Sequence, residues 1–247
     1  MSVVDNHSGL ASAWRGNERF PMCSTFKFLA AALVLSRFDQ GQEQLSRRIA
    51  VQAFDIVPYS PATQPRVGDV PMTTAEFCEA VVTLSDNATA NLLLSSFGGP
   101  EGLTAYARSL GDEFTRLDRV EPDLNEATPG DPRDTTTPDG MWKTMQKIVL
   151  GPALSPASCE QITRWPIANK TGDKKLRAGL PAGWRAGDKT GGGGYGTNND
   201  IAVLWPPGRV PVVVTCYLTQ SSADLGVRDR AIAEVGRVVG LVGGAAA

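Results

Sequence analysis

Ser24 and Lys27 stand three residues apart in the run Phe20-Pro21-Met22-Cys23-Ser24-Thr25-Phe26-Lys27. On a helix that spacing puts a hydroxyl and an ammonium on one face, where the lysine can touch the serine. Burial and the positive end of the helix dipole both favour the neutral amine there, as a base requires. The only histidine, His7, sits in the polar run Asp5-Asn6-His7-Ser8-Gly9, which reads as a turn and earns no role. A Ser-His-Asp triad, a zinc-binding His-Glu-x-x-His helix and a multi-histidine metal site therefore lack their partners. Any nucleophile here must be activated by lysine or carboxylate.

Three further groups carry chemistry: Ser85-Asp86-Asn87, Lys189-Thr190-Gly191, and Glu121-Pro122-Asp123-Leu124-Asn125. The elements that must position them are legible in outline. The run 28–35 is apolar on every side and predicts a central buried helix opened by Ser24 and Lys27. Thr73 and Glu76 form a capping box for a helix that ends near Ser85. Asp86, Thr137 before Pro138 and Ser155 before Pro156 predict further helix starts. Asp86 is expected to stabilise its own turn, because Asx side chains bond nearby backbone. Residues 118–137 hold Pro122, Pro129, Gly130 and Pro132, which exclude regular structure. From 184 onward, β-type runs at 184–190, 199–205 and 210–218 predict an antiparallel meander, with Gly192-Gly193-Gly194 and Pro206-Pro207-Gly208 separating the strands. Residues 3–5 and 12–15 supply further strand. A final helix over 224–239 covers one sheet face. Trp142, Trp165, Trp184 and Trp205 read as core or sheet-face residues.

The chain has 247 residues, 42% hydrophobic, and a formal charge of −2. Scattered basic residues give no footprint for nucleic acid or an anionic membrane, so a small-molecule partner is expected. No apolar run reaches the roughly 20 residues that span a bilayer, and no signal peptide is read at the N-terminus. Cys23, Cys78, Cys159 and Cys216 lie far apart without zinc-type spacing, so free thiols are expected.

In their order along the chain, Ser24-x-x-Lys27, Ser85-Asp86-Asn87 and Lys189-Thr190-Gly191 resemble the penicilloyl-serine transferases, the active-site serine β-lactamases and penicillin-binding proteins. Glu121 to Asn125 resembles the omega loop of class A β-lactamases, and transpeptidases lack that glutamate. The similarity runs from about Val3 to Val239. It implies an α/β plus all-α fold: an antiparallel five-stranded sheet flanked by helices (1–23 and 167–247), and an inserted helical domain (24–166) with the omega loop at about 118–137.

The activity the resemblance implies is hydrolysis of the β-lactam amide of penicillins and cephalosporins through a Ser24 acyl-enzyme. The implied catalytic residues are Ser24, Lys27, Ser85, Glu121 and Asn125. Either Lys27 or Glu121, the latter through a water, takes the serine proton, while Glu121 and Asn125 hold the deacylating water. The implied substrate contacts are Asn87, Lys189, Thr190, the Gly192 N–H as half of an oxyanion hole with Ser24, and Tyr59 as a wall of the cleft. Arg119 and Asp134 match the ion pair that closes the loop, and Glu121-Pro122 is a candidate cis peptide. No cofactor or metal is expected. The resemblance further implies a monomer that is periplasmic or secreted. A penicillin-binding D,D-peptidase and a non-enzymatic β-lactam sensor are the alternatives.

The chain also departs from the family. Only 23 residues precede Ser24, where relatives usually carry a helix and a complete first strand. The places of the usual carboxylate-binding arginine hold Asn198 and Asp229, and Lys175 is the expected substitute charge. Cys23 precedes Ser24 as in some carbapenem-hydrolysing relatives, but the place of their partner cysteine holds Gly193, and the site paired with Cys78 in other relatives is Ala31. Neither of those disulfides is expected.

Overall fold

A computed structural model describes residues 1–244. The elements, in order, are β1 (Ser2–Asp5), β2 (Ala11–Ala13), β3 (Phe20–Pro21), α1 (Phe26–Asp39), β4 (Arg48–Ile49), β5 (Met72–Thr73), α2 (Thr74–Thr83), α3 (Asn87–Ser96), α4 (Gly99–Ser109), β6 (Thr135–Thr136), α5 (Pro138–Val149), α6 (Pro156–Ile167), β7 (Arg185–Gly193), β8 (Thr197–Trp205), β9 (Val212–Leu218) and α7 (Leu225–Gly244). The main sheet is antiparallel in the order β2-β1-β9-β8-β7.

Strand periodicity divides the core in two. Ile201, Val203, Val213 and Tyr217 face the helical side, while Ala202, Leu204, Val212, Val214 and Cys216 face α7. Successive residues of a strand point to opposite faces, so a sheet covered on both sides reads as an unbroken apolar run. On the helical side α1 is buried all round and packs against α2, α3, α4 and α6. Lys27 is the charged residue it carries into that core.

The expected caps form. Thr73 accepts from the Glu76 N–H with a reciprocal capping box, Asp86 from Thr89, Thr137 from Gly140, and Ser155 from Ser158. The four cysteines are free thiols. One expectation is corrected: Gly192 and Gly193 do not separate strands. They pair with Asn198 and Thr197 inside β7–β8, and the turn is made by Gly194, Tyr195 and Gly196. Backbone pairing outweighs the poor strand propensity of glycine where the partner strand is long and continuous. On the far side of the sheet from these glycines, Val3, Leu10, Val212, Val235 and Val239 line an apolar groove of about 350 Å³ between β1 and α7.

Candidate active site

Ser24 lies in a 3₁₀ turn, Cys23–Thr25, that precedes α1. The sequence reading had Ser24 opening α1 itself. The tighter turn arises because Cys23 takes a left-handed conformation, φ 45°, which is uncommon outside glycine. Three contacts hold that strained turn. Thr25 Oγ1 donates to the Met22 carbonyl at 2.8 Å, and Asn199 Nδ2 donates to the carbonyls of Pro21 and Met22 at 2.8 and 3.1 Å. On the remaining side β7 approaches so closely that a Cβ on Gly191 would meet the Met22 carbonyl at 2.8 Å.

Lys27 is fully buried, yet it is not hydrogen-bonded to Ser24. Its ammonium donates to Asn87 Oδ1 at 2.5 Å and to the Ser85 carbonyl at 2.8 Å, and it pairs with Glu121 Oε1 at 2.9 Å. Full and partial negative charges attract an ammonium more strongly than a hydroxyl does. Ser24 Oγ instead reaches Glu121 Oε1 directly, at 3.4 Å. Burial pulls Lys27 below its ordinary value, and Glu121 opposes that pull.

Ser85 follows α2 with φ 59°, again left-handed. Its Oγ sits 3.4 Å from Lys27 Nζ and 3.0 Å from Lys189 Nζ. An ammonium only donates, so both lysines point hydrogens at this oxygen and leave the Ser85 proton free to turn to the cleft. Asn87 opens α3, and its Nδ2 donates to the Pro58 carbonyl at 2.8 Å. Its N–H donates to the carbonyl of Tyr59, a residue that is 61% exposed. Asp86 turns away, accepting from Thr63 and Thr89, as its reading as a turn residue requires.

Glu121 is presented by the long irregular segment. Its N–H donates to Asn91 Oδ1, and Asn91 Nδ2 returns a bond to its carbonyl, each at 2.9 Å. The Glu121-Pro122 bond is cis. Asn125 Nδ2 donates to Glu121 Oε2 at 2.5 Å. Asn125 Oδ1 is shielded and takes no hydrogen bond from the protein. The segment is closed by Arg119 Nε on Asp134 Oδ2 at 2.6 Å, while Asp134 Oδ1 accepts the N–H groups of Asp118 and Arg119. Its tip is tied to β7 by the Gly194 N–H on the Asn125 carbonyl at 2.9 Å.

Lys189 and Thr190 occupy β7. Burial, and then the neighbouring Lys27 charge, push Lys189 well below its ordinary value. Thr190 Oγ1 meets Thr171 Oγ1 at 2.5 Å. Behind them Asp188 accepts from Asn169 and pairs with Arg177. Asn198 donates to Asp229 at 2.9 Å, so these two satisfy each other. Lys175 is buried and donates to the Asn199 carbonyl at 3.2 Å. Burial lowers its pKa, and the nearby Asp200 and Asp229 carboxylates oppose that.

The structure thus gathers Ser24, Lys27, Ser85, Asn87, Glu121 and Asn125 through direct contacts, joined to Lys189 and through it to Thr190. Tyr59 flanks Asn87, and Gly192 follows the Gly191 approach to the Ser24 turn. Sequence reading missed Asn91, Asn169, Thr171 and Asn199, which hold Glu121, Asp188, Thr190 and the Ser24 turn in place. They lie in no motif, and only their neutral polar character within apolar or turn surroundings marks them.

A family model for the beta-lactamase enzyme family matches residues 1–241. The chain belongs to the class A serine β-lactamases. It is 43% identical to Beta-lactamase AER-1 of Aeromonas hydrophila, over 97% of this chain and 79% of that one. Against Beta-lactamase AST-1 of Nocardia asteroides the identity is 47%, over 96% and 76%. Among solved structures, an ancestral (GNCA) class A beta-lactamase superposes with a TM-score of 0.96 at 63% identity, covering 98% of this chain and 92% of that chain. As a class A β-lactamase, the enzyme hydrolyses β-lactams.

Proposed function

We propose that Ser24 attacks the lactam carbonyl carbon while Glu121 takes its proton, and that Glu121 then activates the water that hydrolyses the resulting ester. The observation that carries this reading is the double reach of Glu121 Oε1, 3.4 Å from Ser24 Oγ and 2.9 Å from Lys27 Nζ. Protons balance along one line. Ser85 gives its proton to the departing lactam nitrogen, Lys27 reprotonates Ser85, and Glu121 returns to Lys27 the proton it took from Ser24. In the second half, Asn125 Oδ1 accepts one hydrogen of a water and Glu121 takes the other. General-base help of this kind is worth about 10²–10⁴-fold. The ester carbonyl carbon accepts the hydroxide, and the Ser24 oxygen leaves and recovers the proton from Glu121.

The oxyanion is received by the backbone N–H groups of Ser24 and Gly192; losing one such donor costs about 2.7–4 kcal/mol. The Lys189 ammonium and the Thr190 hydroxyl take the substrate carboxylate, the Asn87 amide takes the side-chain carbonyl, and the Tyr59 ring walls the cleft. Penicillins and cephalosporins fit this donor set. No helix among the described residues is long and apolar enough to cross a membrane. Our reading further takes the enzyme as a monomer that acts in the periplasm or after secretion.

Mixing the protein with excess chromogenic cephalosporin tests the reading. Colour continuing far beyond one equivalent is expected. A single stoichiometric burst would contradict it and favour a penicillin-binding protein or a sensor.

A further inference from the structure

The hydroxyl pair beneath the carboxylate site has a fixed hydrogen-bond direction. Thr171 N–H donates to an Asn169 side-chain atom at 3.0 Å. A backbone N–H only donates, so that atom is the amide oxygen, and Asn169 Nδ2 is the group that donates to Asp188 at 2.6 Å. Thr171 Oγ1 lies 2.9 Å from the same Asn169 oxygen. An oxygen of that kind accepts only, so the single Thr171 proton is committed to it. The 2.5 Å contact between Thr171 and Thr190 must then be donated by Thr190. The hydrogen bonds in the structure therefore run from Thr190 to Thr171 to Asn169, and the Thr190 proton points at Thr171.

A carboxylate in the cleft accepts and never donates, so Thr190 has to turn its proton toward the anion. Thr171 is then the hydroxyl left to supply the Thr190 oxygen, and it can do so by rotating its own proton from Asn169 to Thr190. Asn169 Oδ1 is not orphaned, because it keeps the Thr171 N–H. The bond count is unchanged, and one neutral bond becomes charge-assisted, which is the stronger kind. In the turned state, Thr171 polarises the Thr190 O–H and strengthens its bond to the anion.

We propose that Thr171 is a positioning residue for the substrate carboxylate, working with Thr190 as a two-position hydroxyl rotor that turns when an anion arrives. The inference rests on the reading of Lys189 and Thr190 as the carboxylate site. Thr171→Val removes the rotor. In the empty cleft, water replaces the lost partner of Thr190, but in the complex the substrate excludes that water, so the loss falls on binding. The expected result is a rise in KM of about 3- to 10-fold for a carboxylate-bearing cephalosporin, the worth of one neutral hydrogen bond, with kcat little changed. Thr171→Ser keeps the hydroxyl and should restore KM. The methyl ester of the same cephalosporin carries no anion, and its KM should not respond to either change.

Neutron diffraction reads the rotor without relying on a variant. The Thr190 deuteron is expected toward Thr171 in the free protein and toward the ligand carboxylate in a complex. A free-protein map with the Thr171 deuteron on Thr190, or equal KM changes for acid and ester, would overturn the rotor. If wild type hydrolyses both acid and ester with the same KM, the carboxylate-site reading itself fails. A wild-type preference for the acid that Thr171→Val leaves undiminished defeats only the rotor.

Discussion

Arg119→Ala should loosen Glu121, the proposed general base, without touching Ser24. Asp134 is 1% exposed and accepts three hydrogen bonds, from the N–H groups of Asp118 and Arg119 and from Arg119 Nε. Removing one partner of a buried ion pair costs about 3–5 kcal/mol, because the other charge stays behind uncompensated. Here two backbone donors remain on Asp134, and the Arg119 side chain is 17% exposed, so about 2–3 kcal/mol is the reasonable share. In a chain of this length, each kcal/mol moves Tm by about 2–4 °C, which gives a fall of about 4–12 °C. The second contact of Arg119, to the exposed Glu126, adds little.

The functional effect should be lopsided. Ser24 and Lys27 are held by α1 and the sheet, whereas Glu121 and Asn125 ride on the segment that Arg119 closes. Stopped-flow mixing with a chromogenic cephalosporin separates the two halves, because a slowed second step appears as a burst followed by a slower steady rate. Arg119→Ala should show that burst, with acylation reduced less than deacylation. Arg119→Lys keeps the charge but loses the planar fork, and should fall between. Equal slowing of both steps, or an unchanged steady rate with an unchanged Tm, would refute the view that this pair positions the base.

The pH dependence should reveal Lys189. Its depressed pKa means that the positive charge is lost as pH rises, below the ordinary lysine value, so KM for a carboxylate substrate should climb on the alkaline side while Lys189→Arg stays flat. A wild-type KM flat up to the ordinary lysine value would contradict this. Gly193→Ala should damage deacylation, since a Cβ there would meet the Asn125 carbonyl at 2.5 Å and Cys23 Sγ at 2.7 Å. Displacing Asn125 by even 1 Å is expected to lower kcat on the order of 10- to 100-fold, with acyl-enzyme accumulating under steady-state turnover; a wild-type kcat would speak against it.

The groups that do chemistry were more legible than the frame that holds them. Thr73, Asp86, Thr137 and Ser155 marked helix starts because a short polar side chain before an apolar stripe has one common use. By contrast α4 escaped notice. It begins with Gly98-Gly99-Pro100, which reads as a breaker, although Pro100 suits a first turn and Leu103, Tyr106 and Ala107 form its buried face. The two-residue strands β3, β4, β5 and β6 are too short to carry a period, and their pairing is set by tertiary contact. Nothing local to Phe20–Thr25 announces that Asn199, far along the chain, will hold the Ser24 turn. Lys27 was expected to touch Ser24 from helical spacing alone. The glutamate and amide that drew it aside come from other elements.

Intact-protein mass spectrometry of Glu121→Gln during reaction with a cephalosporin measures the role of the general base most directly. The amide keeps the side chain's shape but accepts no proton. Loss of the carboxylate removes what raises Lys27, so the amine becomes easier to deprotonate and can take the Ser24 proton in place of Glu121, leaving acylation by the cephalosporin possible. The expected spectrum shows a covalent adduct that persists long after wild type has returned to its free mass. A Glu121→Gln enzyme that recycles at the wild-type rate with no adduct would contradict deacylation by this carboxylate.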